Sequence, residues 1–166
     1  MLYTALLLTF PLAMALAAIW DVFTLTIPNR LCLAVAGTFI AAAVLAGLPP
    51  MVVATHLACG IAMLIAGFVL FNLRVMGGGD AKLMAVVALW IGATHIGQFV
   101  TYMALAGGAL AMLLLLYRVR PLPMWLVSQP WALQLHDRKG GVPYGVAIAA
   151  GALLVFPSTT WFANLA

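Results

Sequence analysis

Charge is what this chain lacks. Lys and Arg together number seven and Asp and Glu three, 6% of the 166 residues, while hydrophobic residues make up 67% and mean hydropathy is +1.21. A soluble domain carries roughly 25% charged residues, so this balance excludes a water-solvated globule and points to a protein embedded in a bilayer. Glutamate is absent, so the carboxylate side chains reduce to Asp21, Asp80 and Asp137. Cysteine is nearly absent too: Cys32 and Cys59 each stand alone inside an apolar run, a spacing that excludes a paired-cysteine metal site and reads as small packing residues. His56, His95 and His136 are scattered and suggest no metal cluster, so each reads as a polar packing residue or a solvated one.

What remains is apolar runs and the breaks between them. Six runs, at about 2–20, 31–47, 51–73, 81–96, 98–117 and 143–163, are candidates for membrane spans, since a bilayer core takes roughly 20 helical residues to cross. The runs are rich in Ala and Leu and do not alternate, which argues for helices over a membrane barrel. The expectation is an all-α polytopic membrane protein with six transmembrane helices, forming one membrane-embedded domain over 1–166. "ALA" at 15–17 resembles a signal-peptide cleavage site, but nothing basic precedes the first run, so it is expected to stay as a helix.

Turn chemistry marks the boundaries. Pro28 cannot donate a backbone hydrogen bond, and Asn29 is placed to cap a helix starting at Arg30. "GLPP" at 47–50 is a helix stop followed by a proline restart. The stretch from about 118 to 142 holds Pro121, Pro123, Pro130, Trp125 and Trp131, and reads as a loop or a short helix lying on the membrane surface.

Six spans put every basic residue on one side. Arg30 falls in the first loop, Arg74 and Lys82 in or beside the third, and Arg118, Arg120, Arg138 and Lys139 in or beside the fifth. Positive residues mark the cytoplasmic face, so both termini are expected on the opposite, periplasmic side. A five-span arrangement would divide the basic set between the two faces.

The aspartates then come to one depth. Asp21 follows a run of 19 apolar residues, which rises about 29 Å and brings it to the cytoplasmic rim of span one. Span four is short, and to reach across it must begin near Asp80, drawing that carboxylate to the same membrane edge. Each aspartate could simply mark a helix end, with Asp80 as an N-terminal cap. Three glycines directly before Asp80 tip the balance, because they forgo packing and helix propensity where backbone must approach something closely or take dihedrals that other residues avoid. Two carboxylates able to share a proton are the solution used by aspartic proteases: one stays protonated while the other acts as general base on water.

"GGGD" at 77–80 fits the GxGD motif of membrane aspartyl proteases. With Asp21 at the end of the first span, "IPN" at 27–29, "GGGDAKL" at 77–83 and "PYG" at 143–145, the chain resembles the type IV prepilin peptidase family, in the short branch associated with tight-adherence (Flp) pili. The resemblance implies Asp21 and Asp80 as the catalytic pair and Gly77 and Gly79 as the motif glycines. It implies an endopeptidase of the bacterial inner membrane that removes the basic leader of a prepilin at the cytoplasmic face, just ahead of the apolar helix. Longer members carry two CxxC zinc pairs and methylate the new N-terminus. Those cysteine pairs are missing here, so no metal, no cofactor and no methyl transfer are expected, and no nucleic acid partner.

Two readings stay open for individual residues. Lys82 either helps position substrate or bias the acid pair, or snorkels to the interface from a helix end. Gly141 and Gly145 in "GGVPYG" either let a helix approach closely or line the active-site cleft. The rival function is a small proton-coupled transporter using the same aspartates, but such proteins place ionisable groups near the midplane, often with broken helices and repeats, and neither feature is found here.

Overall fold

A computed structural model describes residues 2–138 and 140–163, with Lys139 outside the described residues. All regular structure among them is helical: α1 Leu2–Thr24, α2 Asn29–Leu45, α3 Pro50–Asn72, α4 Gly78–Ile91, α5 Ile96–Val119, the short α6 Met124–Val127 and α7 Pro130–His136, α8 Tyr144–Val155, a 3₁₀ turn Phe156–Ser158 and α9 Thr160–Ala163. The expected all-α class stands. Three helical stretches, Thr4–Thr24, Pro50–Asn72 and Ile96–Val119, are long and apolar enough to cross a membrane.

Of the other expected spans, the second keeps its 17 residues as α2, shifted two positions earlier, while the fourth and sixth are shorter than their apolar runs. Span four, expected over 81–96, is the 14-residue α4, which stops where Gly92 takes φ +72° and its N–H closes on Ala88 O. It does begin beside Asp80, as the depth estimate requires, yet rises only about 21 Å. Ten of its 14 residues are buried, so α4 is encased by protein rather than lipid. The run at 143–163 breaks after Val155 into a 3₁₀ turn at Pro157. Within 118–142, α5 continues to Val119, and α6 and α7 supply the short helices expected there.

Around α4 the other helices are laid like staves. Helix α3 packs closely on α4, while α2 and α8 lean on other sides of it, and α8 also packs on α1 and α5. The only buried residues of α3 are Gly60 and Gly67, and both face α4. A Cβ on Gly60 would lie 3.2 Å from Ala85 O, and one on Gly67 would lie 2.8 Å from Ala81 Cβ and 2.9 Å from Ala81 Cα. Small residues thus bring the two backbones together, the usual device where apolar surface meets apolar lipid and close packing must drive association. Gly67→Ala is therefore expected to destabilise the protein by about 1–3 kcal/mol through overpacking, seen as a lower unfolding temperature in detergent.

At the end of α4 remote from Asp80, Phe10, Phe39, Trp90, Phe156 and Trp161 form one aromatic cluster. Trp90 Nε1 donates to Val35 O at 2.9 Å and Trp161 Nε1 to Trp90 O at 2.7 Å, so the buried indoles are satisfied. His56 is a packing residue: its Nδ1 donates to Leu89 O at 2.8 Å and its ring stacks on Phe39. Cys32 is buried, Cys59 half-buried, and both are free thiols, consistent with packing. His136 packs edge-on against Tyr117. At the opposite end of the bundle the C-termini of α1, α3 and α5 meet the N-termini of α2, α4 and α8, tied by Lys82–Asn29 and by Arg118 hydrogen bonds to Gly140 and Gly141.

Candidate active site

Both Asp21 and Asp80 are buried, at 3% and 8% exposure, in a chain where ionised groups are rare. Asp21 lies in the last turns of α1, and Asp80 is the third residue of α4. They line two adjoining cavities together, of about 310 and 260 Å³. Leu25 and Gly77 line both cavities as well. The first opens past Thr26, Ile27, Asn29 and Lys82; the second opens past Arg74, Gly141 and Tyr144.

Each carboxylate is held by a backbone amide. Gly145 N–H donates to Asp21 Oδ2 at 2.6 Å, and Gly77 N–H donates to Asp80 Oδ2 at 3.3 Å. The second contact corrects the cap expected at Asp80: Gly77 holds the N-cap, and Asp80, at the third helical position, accepts from its N–H. The first reaches across 124 positions of sequence and ties α8 to α1. Of the two glycines, Gly145 gives a close approach of α8 to Asp21, and Gly141 lines the second cavity.

The glycines serve close approach, not unusual dihedrals. Gly77 has φ −73°, ψ 150°, ordinary extended backbone, and the described glycines with positive φ are Gly47 and Gly92. A Cβ on Gly77 would lie 3.0 Å from Asp80 Oδ2, and one on Gly79 would lie 3.2 Å from both Cβ and N of Ile27. The motif glycines therefore bring the α1–α2 connection and the start of α4 together around Asp80. The left-handed conformations at this end belong instead to Leu25 at φ 50° and Arg74 at φ 58°, both on the cavity rim. Arg74 sits just past the end of α3, where Val75 N–H returns to Leu70 O and Arg74 N–H to Phe71 O. That is the helix-ending pattern in which glycine is the usual residue, so a side chain is held here in a backbone region that costs about 1–3 kcal/mol.

Lys82 is exposed and donates to Asn29 Oδ1 at 2.8 Å on the first cavity's wall. This corrects the expected helix cap: α2 starts at Asn29 itself, Pro28 stands at the N-cap without a side-chain bond, and the Asn29 amide is engaged by Lys82 instead. Neither the Asn29–Lys82 bond nor the Gly145 amide was visible in spacing; "IPN" and "PYG" were the traces they left. Asp137 lies outside both cavities.

Two buried carboxylates, one from α1 and one from α4, thus line the same water-sized space, each held by one backbone amide. Residues 8–116 match the model of the type IV leader peptidase family. That match covers most of the chain, which therefore belongs to the type IV leader peptidase family and is a protease of aspartic type by that membership. Family and apolar helices together make it an integral membrane protein. No curated protein and no solved structure matches the chain significantly.

Proposed function

We propose that the chain is a membrane aspartic endopeptidase that removes the leader of a type IV, Flp-like prepilin at the cytoplasmic membrane face, with Asp21 and Asp80 as its catalytic pair. The observation that carries the reading is the burial of both carboxylates on one pair of cavities, in a chain of the leader peptidase family. One carboxylate takes a proton from water as the water oxygen bonds to the scissile carbonyl carbon. The protonated partner gives its proton to the carbonyl oxygen. Collapse of the tetrahedral intermediate breaks the C–N bond, and a proton delivered to nitrogen releases the amine. A helical peptide bond is shielded from attack, so the substrate must be extended at the cut.

Six membrane crossings, with the dyad at the cytoplasmic face and the termini at the periplasmic face of the inner membrane, follow from the basic residues. Arg30, Arg74, Lys82, Arg118, Arg120 and Arg138 all stand at or beside the helix ends that gather around the carboxylates. The transporter alternative fares worse, because the carboxylates are at one end of the bundle and the opposite end is closed by aromatic packing. For the test, purified protein in lipid vesicles is given a peptide with a basic leader followed by an apolar helix. Mass spectrometry is expected to find one cut just ahead of the helix and a product of unmodified mass. Absence of any cut under conditions where the protein is folded would refute the reading, and a product heavier by one methyl group with S-adenosylmethionine present would refute the absence of methyl transfer.

A further inference from the structure

Helices α2 and α3 both lean on α4 and diverge from one another, leaving a furrow whose floor is α4 itself. It consists of two joined cavities. The upper, of about 330 Å³, lies between Cys32 and Ala36 of α2, Leu64 of α3, and Ala85 and Val86 of α4. The lower, of about 160 Å³, shares Leu64, Ala85 and Val86 and continues past Leu57, Ile61 and Leu89. Below Lys82 and Asn29 every lining residue is apolar or a cysteine. From Lys82 to Leu89 the floor runs about 10 Å along α4, two turns of a helix.

The upper end of this furrow is also the wall of the carboxylate cavity. Asn29 and Lys82 line both, so their hydrogen-bonded pair stands where a polar chamber holding Asp21 and Asp80 gives way to an apolar track. A ligand that fills both must be extended and polar on one side of Lys82, and apolar and helical on the other. The small side chain of half-buried Ala36 on the furrow wall lets a helix backbone come close, as helix pairs in lipid require. We propose that this furrow seats the apolar helix of the substrate, with the Lys82–Asn29 pair marking the point where that helix ends and the segment to be cut begins. The assignment rests on the peptidase reading. It gives Lys82 a positioning role, since its contact with the reaction runs through where the substrate helix stops.

A rival site exists on the other side of α3. A cavity of about 300 Å³ lined by Leu70, Met84, Met103 and Gly108 meets the second carboxylate cavity at Val75, Met76 and Tyr144. It runs about 12 Å along α5 from Met103 to Ala111, a length similar to the furrow's, but it meets the carboxylate cavity at Val75, Met76 and Tyr144 and lacks the hydrogen-bonded Lys82–Asn29 pair. A lipid chain is the other possible occupant of either groove.

The test uses the full chain in vesicles with a photo-crosslinking benzoylphenylalanine at position 36, 61 or 111, in an Asp80→Asn background, and the leader-plus-helix peptide as substrate. Cleavage by the unmodified enzyme is measured first in the same vesicles. Adducts to the peptide are expected from 36 and 61 and not from 111, with those from 36 and 61 at similar distance from the cut, since Ala36 lies about 10 Å beyond Asn29 along α2 and Ile61 about 9 Å beyond Gly67 along α3, where Gly67 packs on Ala81. As a second measure, Ala36→Trp is expected to raise KM for the helix-bearing peptide about fivefold or more, while Gly108→Trp, in the rival cavity, leaves it within about twofold. Adducts from 111 alone, or none from 36 and 61 while the enzyme cuts, overturn the groove assignment. An unchanged KM in Ala36→Trp does the same. An unmodified enzyme that cuts nothing overturns the peptidase reading first, and the two failures are thereby distinct.

Discussion

Asparagine at either position 21 or position 80 is expected to lower leader cleavage by about 10³-fold or more, with insertion and folding unchanged. An amide keeps the shape of the carboxyl and can still accept the Gly145 or Gly77 N–H, so the local backbone has no reason to move. What it loses is the ability to take or share a proton. The loss corresponds to about 4 kcal/mol of transition-state stabilisation. Because the two carboxylates act as one unit, the double variant is expected to be no slower than the slower single one. Asp137→Asn serves as the control: it lies outside both cavities, and its cleavage rate is expected to stay within about twofold of the parent. Cleavage rates of the four proteins, each checked for an unchanged unfolding temperature, decide the matter. Activity near the parent level in Asp21→Asn or Asp80→Asn would remove the dyad, whatever the family of the chain.

The same two residues illustrate what could be read before any coordinates. In so apolar a chain a carboxylate can be placed by counting: a helix rises 1.5 Å per residue, so 19 apolar residues carry Asp21 to a membrane edge. A short fourth run forces its helix to begin at the glycines, and α4 does begin at Gly78. Glycine runs also announced close approach, and the contacts of Gly77 and Gly79 bear this out. What apolarity cannot distinguish is a helix facing lipid from one encased by protein. Helices α3 and α4 look alike by composition, yet α3 buries only two glycines and α4 buries ten residues. The expected spans followed the apolar runs for that reason, and those of α4 and α8 came out too long. Long-range polar contacts were hidden for a different reason. A backbone N–H has no residue identity, so the donor to Asp21 left no trace beyond the glycine of "PYG", which packing would also explain. Asn29 was misread because its local capping role and its partnership with Lys82 use the same side-chain oxygen, and tertiary contact won.

Gly145→Ala is expected to cost at least about tenfold in kcat while leaving the membrane helices folded. The position is ordinary in backbone terms, near the start of α8, so alanine favours the helix by about 0.5–1 kcal/mol. Space is the difficulty. A Cβ there would lie 2.8 Å from Asp21 Oδ2 and 3.0 Å from its Cβ and Cγ, closer than real side chains approach. Asp21 is part of a packed helix and cannot swing away as a flexible chain end could, so either its carboxyl rotates or the N-terminus of α8 retreats. Both lengthen the 2.6 Å bond from Gly145 N–H and move the carboxylate relative to Asp80. A displacement on the order of 1 Å in a catalytic group costs about 10²-fold in a well-positioned site, which makes valine, with a larger clash, worse than alanine. Gly37→Ala provides the comparison, because a Cβ at Gly37 meets nothing within 4 Å and the same gain in helix propensity comes without a clash. Its cleavage rate is expected to match the parent within about twofold. The measurement is kcat and KM for the leader-plus-helix peptide, with unfolding temperature alongside. A fall in kcat at constant KM and unchanged unfolding temperature identifies Gly145 as a positioning residue for Asp21. A rate for Gly145→Ala equal to that of Gly37→Ala would mean that the amide contact between α8 and α1 does not hold the carboxylate for reaction.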